Sequence, residues 1–316
     1  MKNLLLWLIL LFCIPSNGQT NYFTAREEKI PVRKGALAAT LFSPINPKNP
    51  PVVLIIAGSG PTDRDGNNYL LPGKNNSLLQ LADSLAKYGI ASLRYDKRGI
   101  GKSKPDTMMR EENITIDTIA DDAAHMYKWL KVQGYQNIYI VGHSEGSLIG
   151  MIISTALNPQ GFISIAGAGR KIAEILNEQL SRQLTAELNN KLNRDLDSLE
   201  QGLSVTPDPA LYGILRPSVQ PYMKSWLKLD PQKIIAKLSC PVLIVQGSTD
   251  MQVSVQDAEN LHNAKDGSRL LIIPNMNHLF KEVGADDKTV NIKTYSDPSY
   301  PVMTELVSGI VTFIKH

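Results

Sequence analysis

The segment Asn137-Ile138-Tyr139-Ile140-Val141-Gly142-His143-Ser144-Glu145-Gly146-Ser147-Leu148-Ile149-Gly150-Met151 starts as an apolar run, crosses two glycines that bracket a serine, and continues with helix-forming residues. The run 137–141 reads as a strand buried on both faces, and 147–151 opens a helix. Between them, Gly142-His143-Ser144-Glu145-Gly146 fits the pattern G-x-S-x-G. That pattern occurs often by chance, so its weight comes from the strand, sharp turn and helix around it. The glycines let strand and helix approach closely, while the serine hydroxyl is held clear of the sheet on a strained turn.

Working outward, short apolar runs without period-two alternation recur at 52–57, 91–95, 162–166, 242–246 and 270–273, as expected of parallel strands covered on both faces. Helix-like segments separate them at 77–88, 117–133, 147–157 and 255–263, each ending at a breaker, and 303–314 reads as a final helix. Upstream, 27–32 and 37–42 flank Arg33-Lys34-Gly35 as an antiparallel hairpin. The pattern predicts an α/β fold with a mostly parallel central sheet and helices on both faces. From Lys171 to Lys237 no strand-like run occurs; a long amphipathic stripe carries Ile175, Leu176, Leu180, Leu184, Leu188 and Leu192. One crossover between strands needs far fewer residues, so 170–237 is read as an inserted helical cap and 19–169 with 238–316 as the core. The cap is expected to fold over the mouth of the site, with Tyr222 and Trp226, one helical turn apart, adding aromatic walls.

With 43% hydrophobic and 20% charged residues in 316, the chain suits a globular protein rather than a disordered one. Its 33 Lys and Arg against 30 Asp and Glu leave a formal charge of +3, too little to argue for nucleic acid or an anionic membrane as partner. Lys2, the apolar run 4–14 and the small Ser16 and Gly18 before Gln19 form a secretory signal pattern over 1–18. An apolar run of about eleven residues is short of the roughly 20 a spanning helix needs. Phe12 disfavours a lipid anchor on Cys13, since such signals usually carry a small residue there. The expectation is export to the periplasm or beyond, without stable membrane insertion. Cleavage would leave Cys240 alone, able to form neither an internal disulfide nor a zinc cluster, and read as a small buried hydrophobe.

A serine hydroxyl needs a neighbouring base. In sheets carrying this turn, the chain order is serine, acid, histidine. That order removes His125, and His143 cannot turn back onto the adjacent serine. His262 falls within a helix and His316 ends the sequence, whereas His278 follows strand 270–273 in a loop at the carboxyl end of the sheet, where ligands of open α/β sheets bind. The acid is then Asp250, which follows strand 242–246; Asp230, Asp257 and Asp266 sit at the cap boundary, in a helix and in a turn. Asp250 would orient the ring of His278 and stabilise its imidazolium. Acyl transfer also needs donors for a tetrahedral oxyanion: the backbone N–H of Glu145, and one from the loop after strand 52–57.

Gly142 to Gly146, Asp250 and His278 together resemble the α/β-hydrolase superfamily, and Asp96-Lys97-Arg98-Gly99-Ile100-Gly101-Lys102-Ser103 is similar to its recurrent D-x-R-G-x-G-x-S turn. With Gly58-Ser59-Gly60-Pro61-Thr62-Asp63-Arg64-Asp65-Gly66 and Tyr222-Met223-Lys224-Ser225-Trp226, essentially all of the mature chain resembles bacterial hydrolases described as carboxylesterases or likened to serine aminopeptidases. The resemblance implies a lid-bearing esterase of small carboxylic esters that uses no metal or cofactor. It also implies Ser59 as the second oxyanion donor, since Ser59 holds the place after a His-Gly pair in many relatives, here Ala57-Gly58. Asp96 to Ser103 is expected to be a structural turn and Asp63-Arg64-Asp65 a salt-bridged brace. Peptides and thioesters would suit the same three side chains. A non-catalytic binding protein would be marked by loss of one of them, and a dehalogenase by a carboxylate in place of Ser144.

Overall fold

A computed structural model describes residues 23–45, 48–103, 110–181 and 183–316; the expected signal segment lies outside them. The hairpin β1 (Phe23–Val32) and β2 (Gly35–Pro44) is followed by β3 (Val52–Ile56), α1 (Ser77–Lys87), β4 (Ala91–Tyr95), α2 (Ile116–Val132), β5 (Ile138–His143), α3 (Glu145–Leu157) and β6 (Gly161–Ile165). Five helices come next: α4 (Ile172–Ser181), α5 (Ala186–Glu200), α6 (Tyr212–Leu215), α7 (Gln220–Leu227) and α8 (Pro231–Ile235). The chain then returns to the sheet through β7 (Val242–Gly247), α9 (Val255–Ala264), β8 (Arg269–Ile273), α10 (Lys288–Lys293) and α11 (Thr304–Lys315).

The strands form one sheet in the order β1-β2-β4-β3-β5-β6-β7-β8. β1 pairs antiparallel with β2 and β2 with β4; every other pairing is parallel. Side chains of a strand alternate between faces, and here both faces are apolar. Val52, Leu54 and Ile56 face the side covered by α2, α3, α8 and α9, while Val53 and Ile55 face α1 and α11. This two-sided burial is why the strand sequences show no alternation. Cys240 is buried in the first of these cores. No described helix is long and apolar enough to cross a membrane.

The stripe read as one amphipathic pattern is two helices. Thr185 is extended, and its side chain accepts from the N–H of Leu188, starting α5 afresh after α4 ends at Ser181. Capping by a threonine hydroxyl satisfies a donor that would otherwise lack a partner, and it outweighs the continuity of the leucine spacing. Leu192, Leu196, Leu199, Leu211, Leu215, Met223 and Leu227 give these helices a core of their own, apart from the sheet.

Candidate active site

β5 runs into Ser144, which adopts φ 55° and ψ −122°, and α3 begins at the next residue, two positions earlier than its spacing suggests. A non-glycine residue at positive φ is held there only by its surroundings. The Ser144 N–H donates to the carbonyl of Ile165 on β6 at 2.9 Å, and its own carbonyl accepts from Ser147 at 2.9 Å. The flanking glycines permit this crossing: a Cβ on Gly146 would lie 2.8 Å from the Ala57 carbonyl oxygen and closer still to that of Ile56. Overpacking against a backbone that cannot swing aside costs about 1–3 kcal/mol or more. Gly146→Ala is therefore expected to lower the melting temperature by roughly 5 °C or more; a superimposable melting curve would mean that the turn opens without cost.

Asp250 follows β7 and His278 follows β8, and the two meet: His278 Nδ1 lies 2.8 Å from Asp250 Oδ2. Asp250 also accepts from the side chain of Gln246 at 3.0 Å and from the N–H groups of Gln252 and Val253 at 2.7 and 3.0 Å. Burial alone would raise the carboxyl's pKa, but the His278 ring and these donors outweigh it and hold Asp250 below its ordinary value. The histidine loop is pinned by Asn277, whose Oδ1 accepts from the N–H groups of Leu279 and Lys281 and whose amide donates to Asn291 and Thr294. Lys281 is fully buried among neutral acceptors, and burial lowers its pKa to about 8.

His143 is a support rather than a base. Its Nε2 lies 2.9 Å from the carbonyl oxygen of His278, and its ring packs 4.7 Å from the His278 ring and 4.8 Å from Phe280. Burial, reinforced by His278, pushes its pKa down to about 3, so it stays neutral. His278 is thereby held beside the residue that precedes Ser144. Among the described residues no hydrogen bond joins Ser144 Oγ to His278; such bonds are often long in free enzymes and tighten with substrate.

Ser144, Glu145 and Ser59 line one cavity of about 480 Å³ between the sheet and the helices of 172–235. Glu145 is the first residue of α3, so its N–H has no acceptor within the helix. Asp63-Arg64-Asp65 braces this end of the sheet: Arg64 lies within 3.4 Å of Glu27 and 3.3 Å of Asp96, and Asp65 pairs with buried Arg94. Asp96 accepts from the N–H groups of Arg64 and Lys102, each at 2.8 Å. The turn 96–103 is structural in that respect, and its Lys97, Arg98 and Ile100 also line the cavity. Its Lys97 points into the cavity wall, donates to the carbonyl of Gly58 and lies 3.9 Å from Glu145 Oε1. Tyr222 donates to Glu145 Oε2. Burial, with Glu145 beside it, holds the Tyr222 phenol well above its ordinary pKa, so it remains a donor. Neither Lys97 nor Gln246 stood out in the sequence: Lys97 occupies the variable place of the D-x-R-G turn, and Gln246 ends an apolar run.

Most of the remaining cavity wall is apolar, with Leu148, Ile172, Ile175, Leu176 and Met223 beside Tyr222 and Trp226, whose rings meet edge to face at 5.5 Å. Of the leucine stripe, Leu176 reaches the cavity, whereas Leu180 and Leu184 pack within the helical segment itself.

A model of the serine aminopeptidase S33 family matches residues 74–209. The esterase EstD of Thermotoga maritima is 28% identical over 236 residues, covering 72% of this chain and 54% of that protein. The chain thus spans about half the length of that curated relative. Among solved structures, the α/β hydrolase GrgF from Penicillium sp. sh18 superposes with a TM-score of 0.60 at 18% identity, covering 92% of this chain and 98% of that one. Est1E from Butyrivibrio proteoclasticus, solved with ferulic acid bound, gives 0.57 at 19% identity, covering 85% and 96%. At such identities the structural likeness is one of fold.

Proposed function

We propose that this chain, which belongs to the α/β-hydrolase superfamily, is an exported serine esterase of small carboxylic esters. The observation that carries the reading is the hydrogen-bonded pair Asp250 and His278 at the carboxyl end of the sheet, packed through His143 against the strained turn that presents Ser144. Ser144 Oγ attacks the ester carbonyl while His278 takes its proton, and Asp250 stabilises the imidazolium. The N–H groups of Glu145 and Ser59 receive the oxyanion. Collapse expels the alcohol with the proton from His278, and water, activated by the same ring, frees the acid. Residues 1–18 direct export and are removed.

Peptide substrates are the second reading, raised by the aminopeptidase family match. An aminopeptidase needs an anion for the substrate's amino terminus. Among the described residues, the two carboxylates lining the cavity already have partners: Glu145 lies near Lys97 and accepts from Tyr222, while Glu111 pairs with Arg216 and Ser218. An ester with an apolar acyl or alcohol group suits the remaining wall better.

The reading is tested by mapping the site of a fluorophosphonate label and by comparing p-nitrophenyl esters with aminoacyl p-nitroanilides. Label on Ser144 and turnover of the esters is the expected result; label elsewhere, or cleavage of anilides alone, overturns it. Each methylene in an apolar pocket is worth about 1–3 kcal/mol, so a cavity closed by α4 and α7 should give a sharp optimum in acyl length. Trp226→Ala should move that optimum to longer chains. An identical chain-length profile would remove the helical segment from substrate selection.

A further inference from the structure

Lys97 is 7% exposed and stands in the cavity wall, and none of the steps above uses it. Taking an ammonium out of water is costly unless its charge and protons are satisfied. Lys97 has two neighbours of consequence: the carbonyl oxygen of Gly58, to which it donates, and the carboxylate of Glu145 at 3.9 Å. Both belong to residues that set a backbone N–H at the site. The Gly58 carbonyl and the Ser59 N–H are opposite ends of one planar trans peptide. Gripping the oxygen from one side therefore fixes the direction of the N–H on the other, and a cationic donor polarises the peptide so that this N–H donates more strongly. The unit sits against the nucleophile, since a Cβ on Gly58 would lie 3.2 Å from that of Ser144.

Glu145 supplies the second N–H. Its side chain is 1% exposed, with Oε2 accepting from Tyr222 of α7 and Oε1 without a hydrogen-bond donor of its own, turned to the Lys97 charge. Both backbone donors are thus attached to one ammonium–carboxylate pair, and a phenol links that pair to the helices above the cavity. We propose that Lys97 and Glu145 are positioning residues that hold the oxyanion donors Ser59 N–H and Glu145 N–H in place, and that Tyr222 ties this pair to α7, coupling the seating of the helical segment to transition-state stabilisation. The proposal rests on the serine-esterase reading above.

The test compares Lys97→Met and Tyr222→Phe with wild type in ester turnover and in binding two ketones of the same chain. A trifluoromethyl ketone accepts Ser144 Oγ at its carbonyl carbon: the new C–O bond forms, the carbonyl π pair moves to oxygen, and the serine proton passes to His278, giving a hemiketal oxyanion. The matching methyl ketone binds without that addition. Loss of one oxyanion donor typically costs about 10²–10³ in turnover, so Lys97→Met should lower kcat by about 10²-fold with KM within roughly threefold. It should weaken the trifluoromethyl ketone by the same factor and leave the methyl ketone unchanged. Tyr222→Phe should show the same selectivity at about tenfold, and the double variant should be no worse than Lys97→Met alone, since coupled residues are non-additive. A kcat in Lys97→Met within roughly threefold of wild type, strictly additive losses, or equal weakening of both ketones overturns the proposal. Should Lys97→Met fail to fold, Tyr222→Phe decides by the same ketone comparison. A wild-type protein that takes no label on Ser144 removes the esterase reading and this proposal with it, an outcome distinct from labelled wild type with an indifferent Lys97 variant.

Discussion

Ser144→Ala is expected to lower ester turnover by about 10⁶-fold, the scale on which a serine triad fails when its nucleophile is removed, and to end labelling by fluorophosphonates. The fold should persist. Alanine faces the same positive φ as serine, and the contacts that impose it are backbone ones, from Ser144 N to Ile165 and from Ser147 N to Ser144. The neighbouring serines differ in their capacity to substitute. Ser147 is fully buried and its hydroxyl lies 2.7 Å from that of Ser164, so it is no alternative nucleophile. Ser59 does line the cavity. Peptide mapping of the label, turnover of the variant and its circular dichroism spectrum check the expectation together; a variant that still hydrolyses esters, or a label found on Ser59, would reassign the nucleophile.

Much of what surrounds that serine is legible in the sequence. Strands β3 to β7 announce themselves because burial on both faces favours short, mostly apolar runs, with Ser92, Arg94 and Ser164 as buried exceptions, β8 shows the similar run Leu270 to Ile273, and the helices between them end at glycine, asparagine or proline. Asp250 and His278 were found by chain order and by their places after β7 and β8, where they meet at 2.8 Å. What stayed hidden depends on contacts between distant segments. The break in the leucine stripe before α5 turns on one threonine hydroxyl, that of Thr185, a local choice that hydrophobic spacing does not encode. Lys97 is an ordinary surface residue by type, and its burial follows from β4 delivering it opposite the Gly58 carbonyl of the β3 loop. Gln246 and Asn277 carry no signal of their own; their amides become legible only once the carboxylate and the loop they hold are in place. Residue type and topology thus nominated Ser144, Asp250 and His278, whereas the contacts that Lys97, Gln246 and Asn277 make around them were not readable.

Asp250→Asn should reduce turnover by about 10⁴-fold while leaving substrate binding nearly intact, as the wrong histidine tautomer does in a serine triad. The Oδ2 position now accepts from both the His278 ring and the Gln246 amide, and Oδ1 accepts from the N–H groups of Gln252 and Val253. Asparagine keeps one oxygen. If that oxygen serves the two backbone donors, its NH₂ faces His278 Nδ1 and Gln246, and the ring must present a lone pair there, which places its proton on the nitrogen meant to receive one from Ser144. The alternative flip leaves the two backbone donors facing an NH₂. Neither arrangement stabilises an imidazolium as a carboxylate does. Stability should respond in a defined direction as well. Asp250 is held below its ordinary value of 3.8, so its carboxylate contributes stability that is fully present above that pH and lost as pH falls through the lower folded-state value. The gap in melting temperature between wild type and Asp250→Asn should therefore narrow progressively as the pH falls below about 4. A gap that widens as the pH falls below about 4 would mean that the carboxylate is strained rather than stabilised in the fold, and turnover within tenfold of wild type would move the orienting role to another acid.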